Sequence, residues 1–178
     1  MKDMNRESEC SPERCDGISA VVPDWRRERC RQLWDPPRRM LRALRAYQRL
    51  KKKGSRFSLM RSKWFVLTHR FWSAMAATDV PLTCQISGGL ALPHGVGIVI
   101  HPDAEIGPNC LILQNVTIVA DARIGGHVDI GAGAKIIRAV SIGNHARIGA
   151  NAVVLSDVPE GATAVGVPAR IVGYSREK

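Results

Sequence analysis

From Ile100 onward an aliphatic residue returns at every sixth position: Ile100, Ile106, Ile112, Ile118, Ile124, Ile130, Ile136, Ile142, Ile148 and Val154. Four places after each stands a small or compact apolar residue, from Ala104, Cys110 and Val116 through to Ala146, Ala152 and Val158. Glycine directly follows the aliphatic at Gly107, Gly125, Gly131, Gly143 and Gly149, and Asn, Asp and His fill much of the rest. A period of six fits neither the 3.6-residue rhythm of an amphipathic helix nor the alternation of a lone hairpin. It predicts a triangular coil in which each hexapeptide is one short strand and one turn, three to a rung. The aliphatic then points inward and stacks on the residue 18 positions away, as Ile106, Ile124 and Ile142 would. The small residue lets the corner close, and glycine is expected where the turn needs positive φ. Such a column buries a continuous core from neighbour contacts alone.

Upstream the register slips. Ile86 precedes Ile100 by 14 residues, two more than two hexapeptides, so the extra residues fall within 88–97, a segment containing Pro93, His94, Gly95 and Gly97. A bulging loop is expected there, and loops held by rigid scaffolds are where chemistry is commonly placed. Farther forward, residues 37–53 read as an amphipathic helix with Met40, Leu41, Leu44, Tyr47 and Leu50 on one side and Arg and Lys on the other, ended by Gly54. Residues 58–76 read as a second helix whose apolar content is Leu59, Trp64, Phe65, Leu67, Phe71 and Trp72. Three parts are expected: a polar, disordered tail over 1–22, a basic helical region over 23–78, and the coil over 79–178.

Charge and aromatics divide along the same line. Residues 1–78 hold 19 Lys/Arg against 8 Asp/Glu, a net of +11, whereas 79–178 hold 7 against 8. All four Trp and all three Phe precede residue 79, and 14 of the 16 Gly follow it. The basic helices are expected to cap the end of the coil; attraction to an anionic membrane surface is the alternative. No nucleic-acid motif accompanies the charge, so no nucleic-acid partner is expected. The five cysteines form no CxxC pair and no apolar leader precedes them, so reduced thiols and a cytoplasmic setting, with contact at the inner membrane face as its extension, are expected.

Three stretches carry a family resemblance: Gly-Leu-Ala-Leu-Pro-His-Gly-Val-Gly-Ile-Val-Ile (89–100), Ile-Gly-Ala-Gly-Ala-Lys-Ile (130–136) and the tail Gly-Val-Pro-Ala-Arg-Ile-Val-Gly (166–173). In them, residues 79–173 resemble the catalytic domain of the serine O-acetyltransferases, which are hexapeptide-repeat acyltransferases. The resemblance implies a mainly β fold, a left-handed parallel β-helix with a short α-helical N-terminal region, assembled as a homotrimer. It implies acetyl transfer from acetyl-CoA to the hydroxyl of L-serine, with cysteine biosynthesis as the setting. His94 takes the place of the general base and Asp79, fifteen residues earlier, that of the carboxylate that orients it. An imidazole titrates close to neutral pH, which suits it to accept a hydroxyl proton.

The resemblance also lays coenzyme A along a groove between subunits, where Ala132, Gly133 and Ala150 would let the pantetheine arm pass and Arg170, with Lys135 second, would meet the phosphates. One departure stands out. The family's extended loop with a second histidine after the Val-Thr-Leu/Ile rung is missing, since Val116-Thr117-Ile118 runs straight on through Asp121, Arg123 and Ile124. A sugar of surface-polysaccharide biosynthesis is therefore the alternative acceptor, and a non-catalytic trimeric scaffold the second alternative. No metal is expected: His127 and His145, 18 residues apart, should stack on one corner as exposed turn residues, and zinc would need a third protein ligand.

Overall fold

The computed structural model describes residues 18–54 and 56–174. It holds a 3₁₀ turn (Trp25–Glu28), two helices, α1 (Pro36–Lys53) and α2 (Arg56–Ala76), and thirteen strands. The first six strands are β1 (Gln85–Ile86), β2 (Val99–Ile100), β3 (Glu105–Ile106), β4 (Leu111–Ile112), β5 (Thr117–Ile118) and β6 (Arg123–Ile124). The rest are β7 (Asp129–Ile130), β8 (Lys135–Ile136), β9 (Ser141–Ile142), β10 (Arg147–Ile148), β11 (Val153–Val154), β12 (Ala162–Val165) and β13 (Arg170–Tyr174). They form three sheets, β1-β3-β6-β9, β2-β5-β8-β11 and β4-β7-β10-β12-β13, parallel except for the closing β12–β13 pair. This is the expected mainly β architecture, a left-handed parallel β-helix with two helices in front.

In every two-residue strand the second residue is buried and the first faces outward, so the sixfold isoleucines form the core column. Through the middle of the coil, paired strands are 18 residues apart, as in Glu105↔Arg123 and Arg123↔Ser141. At the top all three sheets are offset by 20 instead: Asp79↔Val99, Gln85↔Glu105 and Ala91↔Leu111. Two extra residues therefore lie between Ala91 and Val99, in the bulge the slipped register implies. At the bottom the spacing falls to 16, in Ile142↔Val158 and Arg147↔Thr163, because the corner before Val158 is two residues short.

The glycines play a different part from the expected one. Gly107, Gly125, Gly131, Gly143 and Gly149 are not among the residues with positive φ. They are needed because rungs approach closely: a Cβ on Gly107 would lie 2.5 Å from the carbonyl carbon of Gly125, and one on Gly131 would lie 2.6 Å from the amide of Ala150. Positive φ falls instead on the third residue after seven of the ten aliphatics: Asn109 (61°), Asn115 (59°), Asp121 (60°), His127 (53°), Gly133 (73°), His145 (58°) and Asn151 (56°). Asn, Asp and His are the non-glycine residues that tolerate this region best.

Residues 18–28 also differ from expectation. Of the tail expected over 1–22, residues 1–17 lie outside the described residues, but 18–22 belong with 23–28 to a strap along the corner between the first and third sheets. The fully buried Asn109 anchors it, its carboxamide oxygen accepting from Asp24 N (2.7 Å) and its nitrogen donating to the carbonyls of Ser19 (2.7 Å) and Val22 (2.8 Å). Glu28 Oε1 accepts from the amides of Gly89 (2.9 Å) and Leu90 (3.2 Å), and Glu28 pairs with Arg45 of α1 at 2.8 Å. Arg45 in turn donates to the carbonyls of Ile86 and Ser87, so strap, helix and first rung are locked together. Met40, Leu41 and Leu44 of α1 join the core cluster at the top of the coil.

Candidate functional site

The bulge is fastened on three sides. Leu92 and Ile98 anchor its two ends in the core. Above, Gly97 N donates to Ala77 O (2.7 Å) and Asp79 N to Ile98 O (2.8 Å); below, Asn115 N donates to Val96 O (2.9 Å). Gly97 has φ 72°, and a Cβ there would fall 2.1 Å from Asn115 Oδ1, so the asparagine side chain fills the space a larger residue would need. Gly95 packs against Pro37 at the start of α1, where a Cβ would come within 3.0 Å of its ring. The loop is thus held rigidly while His94, between these anchors, stays exposed.

The remaining candidates fall on the same corner, the one leading from the third sheet to the second. Ala132 and Gly133 lie one rung below Gln114 and Asn115, and Ala150 and Asn151 one rung lower, joined by Gly133 N→Gln114 O and Asn151 N→Ala132 O, both 2.8 Å. Lys135, on β8, reaches back to this corner, its Nζ donating to Asn115 O (2.7 Å) and Thr117 Oγ1 (3.0 Å). The next rung turns at Gly166, whose carbonyl accepts from Val153 N (3.0 Å), and Ala169 N donates to Val153 O (2.8 Å), which sets the exposed Arg170 at the foot of the edge. Asp79 opens the top of the second sheet, on the outward column continued by Val99, Thr117, Lys135 and Val153. Its side chain is exposed and makes no hydrogen bond or ion pair with His94.

One residue at this edge escapes the motif reading. Gln114 Oε1 is buried without a donor, directly on the corner between the His94 bulge and Ala132. The signal that marks it is the polar pair Gln114-Asn115 at a turn, but only the fold shows which of the two is left unsatisfied. Elsewhere, His127 and His145 meet edge-on, with ring centroids 5.0 Å and Nδ1 atoms 2.9 Å apart, and they are half-buried beside the strap, not exposed. Burial lowers the His127 pKa, opposed by the neighbouring Asp129 and reinforced by His145. No group of three or more His, Cys, Asp or Glu placed to hold a metal occurs among the described residues. Burial pushes the Cys84 thiol up to about 12 and the Cys110 thiol up to about 11, which leaves neither a nucleophile.

The bacterial transferase hexapeptide family (six repeats) matches residues 103–138. A serine acetyltransferase solved in complex with CoA is 34% identical, with a TM-score of 0.67 over 79% of this chain and 58% of its own. Soybean serine acetyltransferase apoenzyme is 33% identical, with a TM-score of 0.68 over 84% of this chain and 66% of its own. The chain is a hexapeptide-repeat protein similar to the serine acetyltransferases. The serine acetyltransferase of Neisseria gonorrhoeae is similar to the same degree, 33% identical with a TM-score of 0.68 over 82% of this chain. No curated protein sequence matches significantly. The chain spans 58% of the length of the CoA-bound relative, and β5 passes to β6 through a plain corner with no inserted loop.

Proposed function

We propose that the chain is an acetyl-CoA-dependent O-acetyltransferase whose acceptor is the hydroxyl of L-serine. The observation that carries this reading is the similarity to an enzyme solved with CoA, taken together with an exposed histidine on a rigid bulge at the head of a corner of small residues. His94 accepts the hydroxyl proton as the oxygen attacks the thioester carbonyl. The tetrahedral adduct then collapses, breaking the C–S bond, and the proton passes from the imidazolium to the departing thiolate. Asp79, on the strand position next to the bulge, orients the imidazole and stabilises its charged form once the acceptor is in place.

Rungs repeat at about 4.8 Å, so the edge from His94 to Arg170 offers roughly 20 Å for an extended donor. Backbone at Ala132, Gly133 and Ala150 lets the pantetheine arm approach. Arg170, and Lys135 beyond its present carbonyl partner, meet the phosphates as charge-assisted donors. The proposed assembly is a homotrimer, in which a second subunit supplies the other wall of this edge, and the proposed setting is the cytoplasm.

The plain corner between β5 and β6 favours one second reading, a sugar hydroxyl as acceptor, because a site without an inserted loop is open to a larger substrate. The test is release of coenzyme A from acetyl-CoA with L-serine and, separately, with a panel of amino sugars, for wild type and His94→Ala. Serine-dependent release that falls by about 10²–10⁴ in the variant is the expected result. Release with sugars alone keeps the base and changes the acceptor. Absence of both release and coenzyme A binding removes the enzymatic reading and leaves the trimeric scaffold.

A further inference from the structure

Helix α2 keeps much of its apolar content in solvent. Among its described side chains the buried ones are Ser58, Ser62, His69 and Ala76, with Phe65, Val66 and Trp72 partly buried. Met60, Trp64, Leu67, Phe71 and Met75, spaced four, three, four and four apart, form a single stripe on the other side and are between 47% and 66% exposed. The stripe is extended by aromatic contacts: Phe71 meets Trp72 edge-on at 5.0 Å and Trp72 meets the exposed Trp34 at 5.6 Å. A helix bathed in water on that side would carry polar residues there, since burying each such side chain is favourable. A stripe of this size marks a surface that something covers.

Charge says what covers it. The two helices hold twelve Lys/Arg and no Asp/Glu. Exposed Arg61, Lys63 and Arg70 border the stripe, and Arg29, Arg42, Arg49 and Lys52 line an open cavity of about 1020 Å³ beside α1, whose one lining carboxylate among the described residues, Glu28, is paired with Arg45. A second copy docked stripe to stripe would set these cations against their equivalents. An anionic lipid surface instead takes Trp, Phe, Leu and Met among its acyl chains and meets the flanking cations with phosphates. No helix among the described residues is long and apolar enough to cross a membrane, so the contact lies in the interface plane.

We propose that α2 docks the protein on an anionic lipid surface through the stripe Met60, Trp64, Leu67, Phe71 and Met75. The test is co-sedimentation of the full chain with vesicles of phosphatidylcholine alone and of phosphatidylcholine mixed with phosphatidylglycerol. It needs no assumption about acetyl transfer. The expected result is binding to the mixed vesicles only, weakened by salt, with a loss of at least about tenfold in Trp64→Glu and again in Leu67→Glu. Both positions are exposed, so the variants should melt with the wild type. Equal binding by the variants, or equal binding to uncharged vesicles, overturns the proposal. So does failure to bind either vesicle combined with a lower mass by light scattering in Trp64→Glu, which would assign the stripe to contact between copies.

Discussion

At the scale of single residues, the coil is governed by which side chains accept the left-handed region at each corner. Asn, Asp, Gly and His share that position, and two histidines take it on adjacent rungs. A hydrogen bond of 2.9 Å between the two Nδ1 atoms holds a single proton between them, and burial holds His127 below its ordinary pKa near 6.5. The unfolded chain therefore binds a proton at His127 before the folded one does. Stability from this site is complete above about pH 6.5 and is lost as pH falls through that value. His69, depressed by burial in the same direction, adds to the trend. His127→Asn keeps a residue that tolerates φ 53° and removes the titration. Denaturant midpoints measured between pH 5 and 8 should accordingly fall less steeply in the variant, with its neutral-pH midpoint close to wild type. An unchanged slope would show that the pair does not set the acid limb.

Elements depend on contacts the chain makes far from its own neighbourhood, and the strap shows this best. Asn109 ties Ser19, Val22 and Asp24 to the coil across sequence separations of 85 to 90 residues. Asn109→Gly keeps the backbone conformation and removes the carboxamide, so it should cost about 1–3 kcal/mol and speed amide exchange at Asp24. Exchange unaltered at Asp24 would mean that other contacts hold the strap. Such long-range pairing is why residues 18–22 read as a tail: they have no periodicity, and their partners are buried carboxamide and amide groups on rungs that do not exist until the coil forms. The coil itself was legible because every hexapeptide repeats the same stacking decision, and the 14-residue step from Ile86 to Ile100 marks the bulge in the sequence alone. Alignment of Gln114, Ala132 and Ala150 on one edge follows from the same 18-residue arithmetic. Contact between His94 and Asp79 does not, because it depends on side-chain rotamers and on what fills the edge. The exposed stripe of α2 was equally hidden, since Trp64, Leu67 and Phe71 look like core residues until the helix is seen to pack with other residues inward.

For the whole molecule, the three outer faces of the coil are unequal. The first sheet presents Gln85, Glu105, Arg123 and Ser141. The second presents Val99, Thr117, Lys135 and Val153, and directly after its strands His101, Val119, Ile137 and Leu155, with Val99 and Ile137 more than 40% exposed. Exposed Val99 and Ile137, with half-buried Val119 and Leu155 beside them, are aliphatic positions that a covered face would explain, and the same sheet borders the edge that begins at His94. The proposed trimer gives both facts one cause: the second sheet packs against neighbouring copies, and the corner beside it becomes a groove with two walls. On that proposal the His94 and Asp79 side chains, exposed in the single chain, would face a groove completed by a neighbouring copy. Ile137→Glu tests this. It lies on the surface of the coil, so the folded rungs should survive, as circular dichroism would show. In the assembled protein it would bury charges against one another at a shared interface, which is strongly unfavourable. Light scattering should therefore find a trimer for wild type and a monomer for the variant, with coenzyme A affinity falling alongside the mass. A variant that stays trimeric would move the interface to another face, and a monomer that still binds coenzyme A at full strength would show that one chain builds the groove alone.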